Sequence, residues 1–152
     1  MRDLERGYQK YAWLLLFGLG ILGLIFAMWD MFSGFTDDPQ SVRALTGRTW
    51  GELVAENPGV AKLVLQWVRA AGIGALGFSI LAMAMAVTGY RTGERWTWYA
   101  LWSVPTVIVG FIVNNLSVGG SLWPIFIVFL VVALAGLLLP IRKFFPRSAR
   151  RT

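Results

Sequence analysis

Long apolar stretches alternate with short polar segments along the chain. The clearest stretch runs from Leu63 to Tyr90, and from Ala70 onward it contains no charged residue. At about 1.5 Å of rise per residue, a helix over this part crosses the roughly 30 Å hydrocarbon core of a bilayer. The same pattern predicts membrane spans at about 11–32, 63–90, 96–116 and 122–141. We therefore expect a single integral membrane domain over residues 1–152, an all-α four-helix transmembrane bundle.

The first stretch could instead be a cleaved signal peptide, because the basic residues Arg2, Arg6 and Lys10 precede an apolar run. However, the uncharged run from Tyr11 to Trp29 is longer than the roughly 7–15 residues of a typical signal-peptide core. No cleavage motif of small residues follows it. We therefore predict an uncleaved first span.

Residues 33–62 form the only sizeable predicted loop, and one helix start is recognisable within it. Thr49 and Glu52 have the spacing of a capping box, in which each side chain satisfies a free amide of the other residue. This predicts a short helix at about Trp50–Glu56, ended by Asn57–Gly59. The helix could be amphipathic and lie on the outer membrane surface. The alternative is a connector that only joins two spans.

Two prolines fall within the third and fourth stretches. Pro105 removes one backbone hydrogen bond inside the third span, so we expect a bend there. Pro124 lies in the first turn of the fourth span, where a missing amide is tolerated.

Lysine and arginine residues are unevenly divided between the two sides of the predicted bundle. The N-terminal lead, the 91–95 turn and the tail from Arg142 hold most of the 14 basic residues, whereas the opposite loops hold Arg43, Arg48 and Lys62. By the positive-inside rule, both termini are cytoplasmic (N-in and C-in) in a multi-pass protein of the cell membrane. The basic C-terminal tail predicts contact with anionic membrane lipid.

Composition narrows the possible chemistry. Hydrophobic residues make up 57% of the chain, and it contains neither Cys nor His. Thiol chemistry is therefore excluded, and the commonest metal ligands are missing. We predict no catalytic residue, no metal and no cofactor. The net charge of +6 could indicate nucleic acid, but the basic residues lie at the ends of apolar spans. Membrane lipids are thus the expected partner, and nucleic acid is not.

Small residues recur inside the first two spans. Gly18–Gly23 and Gly72–Gly77 both match the G-x-G-x-x-G pattern, but neither follows a strand, so a dinucleotide site is not expected. In membranes, small residues let helices approach closely. The predicted helix-packing residues are Gly18, Gly20, Gly23, Ala70, Gly74 and Gly77.

A few polar side chains gather near the outer ends of the spans. Asp30 ends the first span and Arg69 begins the second, at comparable depth. We hypothesise that they pair and line an outward-opening polar pocket together with Gln66, Asn114 and Asn115. The alternative is that each side chain reaches the interface independently, since long charged side chains can extend to water.

The part of the chain from Gly51 to Trp102 resembles small bacterial DoxX-like membrane proteins. The resemblance is carried by Gly51–Leu53, Asn57–Gly59 and the hairpin Tyr90–Tyr99. It implies a four-helix fold in a bacterial inner membrane and little about chemistry. Redox-linked roles proposed for some relatives have no counterpart here, because the chain contains no cysteine.

These observations favour a non-catalytic membrane protein that binds a lipid-like or small ligand in the outer pocket, or that serves as a subunit of a membrane complex. Its protein partner would be another membrane protein or further copies of itself. A small oligomeric transporter is an alternative, although the spans lack an ionisable residue near their midpoints. A lipid-modifying enzyme that uses Asp30, Glu52 or Glu56 as acid or base is the weaker alternative.

Overall fold

The computed structural model of the protein describes residues 7, 9–32 and 39–145, and every regular element in this part of the chain is helical. The helices are α1 (Trp13–Phe32), α2 (Pro39–Thr46), α3 (Trp50–Glu56), α4 (Pro58–Met85), α5 (Arg95–Ala100), α6 (Ser103–Ser117), α7 (Trp123–Leu138) and α8 (Ile141–Phe144), with a π-helical turn at Ala86–Tyr90. Among these residues, the helical stretches long and apolar enough to cross a membrane are span 1 (Gln9–Phe32), span 2 (Pro58–Tyr90), span 3 (Arg95–Ser117) and span 4 (Trp123–Phe144). The all-α prediction with four candidate spans is confirmed, and it indicates a membrane protein.

Span 2 starts earlier than the sequence pattern indicates. Pro58 occupies the first turn of α4, where its missing amide costs no hydrogen bond, so the helix begins directly after Asn57. The 33 residues of this span extend roughly 50 Å, well beyond the roughly 30 Å hydrocarbon core of a bilayer. Span 2 is therefore longer than the crossing of the hydrocarbon core requires.

The loop before span 2 is largely helical. The predicted capping box is present: the Glu52 amide donates to Thr49 Oγ1 at 3.3 Å, and the Thr49 amide donates to Glu52 Oε2 at 2.7 Å. These hydrogen bonds hold the pKa of Glu52 below its ordinary value, because they favour the charged carboxylate. α2 was not predicted from the sequence; it is only eight residues long and is followed by Gly47 with φ of +71°.

Pro105 interrupts span 3 as predicted, but the break lies one turn before it. The proline ring conflicts with the carbonyl four residues earlier, which belongs to Leu101. That carbonyl instead accepts from the Val104 amide at 3.0 Å, and the helix breaks at Leu101 and Trp102. Pro140 separates α7 from α8, with the break at Leu139 and Pro140 themselves.

The spans pack in the order 2–1–4–3. α1 packs most extensively on α4 and also on α7, and α7 packs on α6, whereas α4 and α6 barely approach each other. Spans 2 and 3 meet mainly where the π-helical turn packs on α5. We call this side of the bundle the termini end, because α8 and Gln9 also lie there. The opposite side, with Phe32, α2, α3 and the turn before α7, is the loop end.

The largest fully buried side chains lie at the termini end. Tyr90, Leu101, Leu137 and Phe144 are each no more than 2% exposed. They pack with Leu16 into one apolar cluster that joins all four spans.

Side chains near the 91–94 hairpin donate hydrogen bonds to carbonyls at the end of span 4. Pro140 has no amide, so the Gly136 carbonyl has no helical partner there and accepts from the Tyr90 hydroxyl at 2.5 Å. The Trp98 indole donates to the Leu137 carbonyl at 3.0 Å, and Arg95 Nε donates to the Phe144 carbonyl at 2.9 Å. The termini end is therefore both apolar and hydrogen-bonded.

Only part of the predicted glycine set lies at a helix contact. A Cβ added at Gly20 would lie 2.3 Å from Met83 Cγ, and one added at Gly23 would lie 2.6 Å from Ser79 Oγ. These two glycines let α1 and α4 approach closely. The predicted members without such a contact are Gly18, Gly74 and Gly77, where an added Cβ meets no atom within 4 Å, and Ala70, which is exposed. They differ because successive residues turn by about 100°, so one glycine motif covers several faces of a helix.

Candidate functional site

A cavity of about 490 Å³ lies between the four spans, toward the loop end. Its volume falls within the roughly 300–1,000 Å³ of small-molecule sites. Its described lining is almost entirely apolar, and Asp30 and Ser79 are its polar members. We call this space the interhelical cavity.

Phenylalanines supply much of the cavity wall. Phe111 and Phe126 stack with ring centroids 5.5 Å apart, and Phe129 contacts both Phe126 and Phe26 at 6.3 Å. Phe78 of α4 also lines the space. The wall therefore offers aromatic faces from all four spans.

The interhelical cavity is elongated along α1. Its lining extends from Asp30 at the loop end to Leu16, which belongs to the buried cluster of the termini end. The 14 residue-to-residue steps from Leu16 to Asp30 correspond to roughly 21 Å. This exceeds the roughly 15 Å that half of a bilayer core provides. The cavity is long enough to accept an extended acyl chain and is closed at the termini end.

The cavity has an open side between α4 and α6. These helices barely approach each other, and the lining residues Gly74, Val107 and Phe111 are exposed there. In a membrane, this side faces the lipid. A ligand could therefore enter laterally from the bilayer.

Asp30 places a carboxylate in this apolar space. It is half-buried, and it has no hydrogen bond or ion pair with any described residue. Gly72 of α4 makes room for it, because a Cβ added there would lie 3.1 Å from Asp30 Cβ. Phe26 precedes Asp30 by one helical turn and therefore lies on the same side of α1.

Arg69 does not pair with Asp30. Together with Lys62 and Gln66, it lines a separate depression of about 410 Å³, and all of the described residues that line this depression belong to α4. At about 100° per residue, these side chains lie on one side of Gly72, which faces α1, and the cavity residues of α4 lie on the other. The structure therefore divides the hypothesised polar pocket into two sites. We call the second one the α4 depression.

The two asparagines also lie outside the interhelical cavity. Asn115 is buried, and its Oδ1 accepts from the Trp123 amide at 3.0 Å, which caps the start of α7. Gly120 permits this contact, because a Cβ added there would lie 2.4 Å from Asn115 Nδ2. Asn114 is exposed, and its carbonyl accepts from the Ser117 hydroxyl at 2.7 Å. Both asparagines serve the turn between spans 3 and 4.

Sequence reasoning missed the aromatic wall of the site. The spacing of Phe26 and Asp30 by four residues, and of Phe126 and Phe129 by three, places each pair on one helix face. Those spacings could have indicated that each pair lines one common surface. The residues across the cavity were not predictable, because their meeting depends on how the helices pack. In the described part of the chain, no three His, Cys, Asp or Glu side chains lie close enough to hold a metal ion.

Comparison with known proteins places no further constraint on the function of this chain. No protein family, no curated protein and no solved structure matches this chain. The resemblance to DoxX-like proteins therefore stays a prediction.

Proposed function

We propose that this protein binds a lipid-like amphiphile in the interhelical cavity and performs no chemistry on it. The ligand enters from the bilayer between α4 and α6, lays its hydrocarbon chain along α1 and keeps its polar head beside Asp30. One observation carries this proposal: an elongated apolar cavity whose described lining has one carboxylate, Asp30, toward the loop end.

The energetics of such binding differ from those of a water-soluble lipid carrier. A chain that arrives from the bilayer is already in an apolar medium, so its transfer gains little from the hydrophobic effect. Selectivity must then come from close packing against the phenylalanine wall and from contacts of the polar head. Asp30 is the principal candidate for the head contact.

We further propose that the termini end faces the cytoplasm of a cell, with the loop end on the outer side. Basic residues at the termini end include Arg91, Arg95 and Lys143, which would contact anionic lipid head groups there. The remaining basic residues of the tail, Arg147, Arg150 and Arg151, lie outside the described residues. Membrane lipid is thus the proposed partner both in the interhelical cavity and at the basic termini end.

Two glycines of α4 allow a matched test of the cavity. An added Cβ meets no atom within 4 Å at Gly74 or at Gly77, but only Gly74 lines the cavity. Gly74→Leu should therefore fill the cavity, and Gly77→Leu should extend into lipid. Both changes replace a helical glycine by leucine, so their effects on helix propensity are equal.

The experiment measures photo-crosslinking of a diazirine-bearing dodecanol to protein in phosphatidylcholine nanodiscs. We expect wild type and Gly77→Leu to be labelled in span 1 or span 3 residues of the cavity, and Gly74→Leu to lose most of that labelling. Equal labelling of all three proteins would refute a ligand site in the cavity.

A further inference from the structure

The described lining of the interhelical cavity carries negative charge only. Asp30 is the only charged side chain among the described residues of its lining. The nearest basic side chain along span 2, Arg69, belongs to the α4 depression on another face of the helix.

A carboxylate in such a place is incompletely stabilised. An ionised carboxylate loses hydration on burial and must be paired or hydrogen-bonded to compensate. Asp30 is half-buried, and no described residue pairs with it or donates to it. A ligand with a positively charged or hydrogen-bond-donating group would therefore give the Asp30 carboxylate an interaction that no described residue supplies.

The aromatic wall complements a positive charge as well. Phe26 lies one turn before Asp30 on the same face of α1, and its ring packs against Phe129. A cation within about 6 Å of an aromatic face is attracted by the ring's negative face. A positive group beside Asp30 would thus meet both a carboxylate and an aromatic ring.

From this geometry we infer that the ligand of the interhelical cavity is a cationic amphiphile, with one ammonium-type head at Asp30 and Phe26 and a hydrocarbon chain along α1. This inference rests on the proposed function and deepens it. An anionic head would be repelled by Asp30, and a neutral head would leave the carboxylate without a counter-charge. The hydrocarbon chain contributes equally in all three cases.

The test compares three radiolabelled probes that share one chain: dodecylammonium, dodecanol and dodecanoate. Binding is measured near neutral pH to the full chain in phosphatidylcholine nanodiscs, with empty nanodiscs subtracted. A charge-assisted hydrogen bond is expected to make the ammonium probe bind about 10- to 100-fold more tightly than the alcohol.

Variants assign that preference to one side chain. Asp30→Asn should abolish the preference for the ammonium probe, and an unchanged circular dichroism spectrum shows that the variant is folded. Asp30→Glu should retain the preference. Arg69→Gln, in the α4 depression, should leave it unchanged.

The outcomes separate the two proposals. If dodecanol binds to wild type but the ammonium probe binds no more tightly, the cationic ligand is ruled out and the lipid-binding cavity stands. A preference for dodecanoate has the same meaning. If the preference for the ammonium probe survives in Asp30→Asn, the placement of the cationic head at Asp30 is ruled out. If no probe binds above empty nanodiscs, the proposed function itself fails.

Discussion

The two ends of this bundle use aromatic residues in different ways. At the termini end, Tyr90 and Trp98 are packed inside and donate hydrogen bonds to the carbonyls of Gly136 and Leu137. Toward the loop end, phenylalanines line the interhelical cavity of about 490 Å³. The first arrangement fixes the spans together, whereas the second leaves α4 and α6 apart.

This difference follows from where prolines and polar aromatic residues occur. Pro140 leaves a carbonyl without its helical donor, and a tyrosine hydroxyl from another span supplies one. Such contacts hold spans 2, 3 and 4 at one end only. One polar group departs from this pattern: the Trp102 indole is buried without an acceptor among the described residues. Because one end is fixed, α4 and α6 can diverge toward the loop end and leave room for a ligand.

The largest expected effect distinguishes two phenylalanines of span 4. Phe144 is 1% exposed in the packed cluster, so Phe144→Ala should lower the free energy of unfolding by up to about 3–5 kcal/mol. Phe126→Ala should cost clearly less, because Phe126 already borders a cavity. Titration with sodium dodecyl sulfate in mixed micelles, followed by circular dichroism, measures both. If both substitutions lower the free energy of unfolding equally, the loop end is packed as tightly as the termini end, which would contradict this account.

Enlarging a glycine should have opposite consequences at the two ends. A Cβ at Gly89 would lie 2.3 Å from Thr97 Cγ2, so Gly89→Leu overpacks the termini end and should cost about 1–3 kcal/mol. Gly74→Leu should be neutral or stabilising, because it enters the cavity and improves helix propensity. The same micelle titration compares them, and a destabilised Gly74→Leu would show that the cavity is not open in the membrane.

A double-mutant cycle isolates the hydrogen bond to Gly136. Tyr90→Phe removes the hydroxyl donor and should cost about 1 kcal/mol. Pro140→Ala restores an amide that can bond to the same carbonyl, so Tyr90→Phe should cost less in that background. Unfolding in mixed micelles gives all four free energies. If the free-energy changes of the two substitutions are additive, Pro140 is not the reason that the Gly136 carbonyl accepts from Tyr90.

The smallest expected effect concerns pH at the loop end. The capping hydrogen bonds of Thr49 lower the pKa of Glu52, so they stabilise α3 above the ordinary pKa of about 4.5, and this stabilisation is lost as the pH falls through the lowered value. The protection factors of the amides at the start of α3, which correct the exchange rates for their intrinsic pH dependence, should therefore fall as the pH is lowered past the ordinary pKa of Glu52. Glu52→Gln is the control, since its protection factors should not depend on pH in this range. Unchanged protection of α3 in the wild type would contradict the capping role of the charge.

The sequence predicted how far along its span each polar residue lies better than it predicted which face of the helix that residue occupies. Asp30 and Arg69 do lie toward the same end of the bundle, as their positions in the spans indicate. Whether they meet depends on which face of α4 packs on α1, and Gly72 settles that through its contact with Ala27 and Asp30. The Pro105 break and the Thr49 capping box were predictable because they depend only on neighbouring residues. The bond between Tyr90 and Gly136 was not, because it joins residues 46 positions apart.

A crystal structure grown from a lipidic mesophase containing 12-bromododecylammonium decides whether the cavity is a ligand site. We predict one anomalous bromine peak inside the interhelical cavity, with the ammonium group beside Asp30 and α4 and α6 still separated. A structure in which α4 and α6 pack together, with no bromine between the spans, would contradict the ligand-binding cavity.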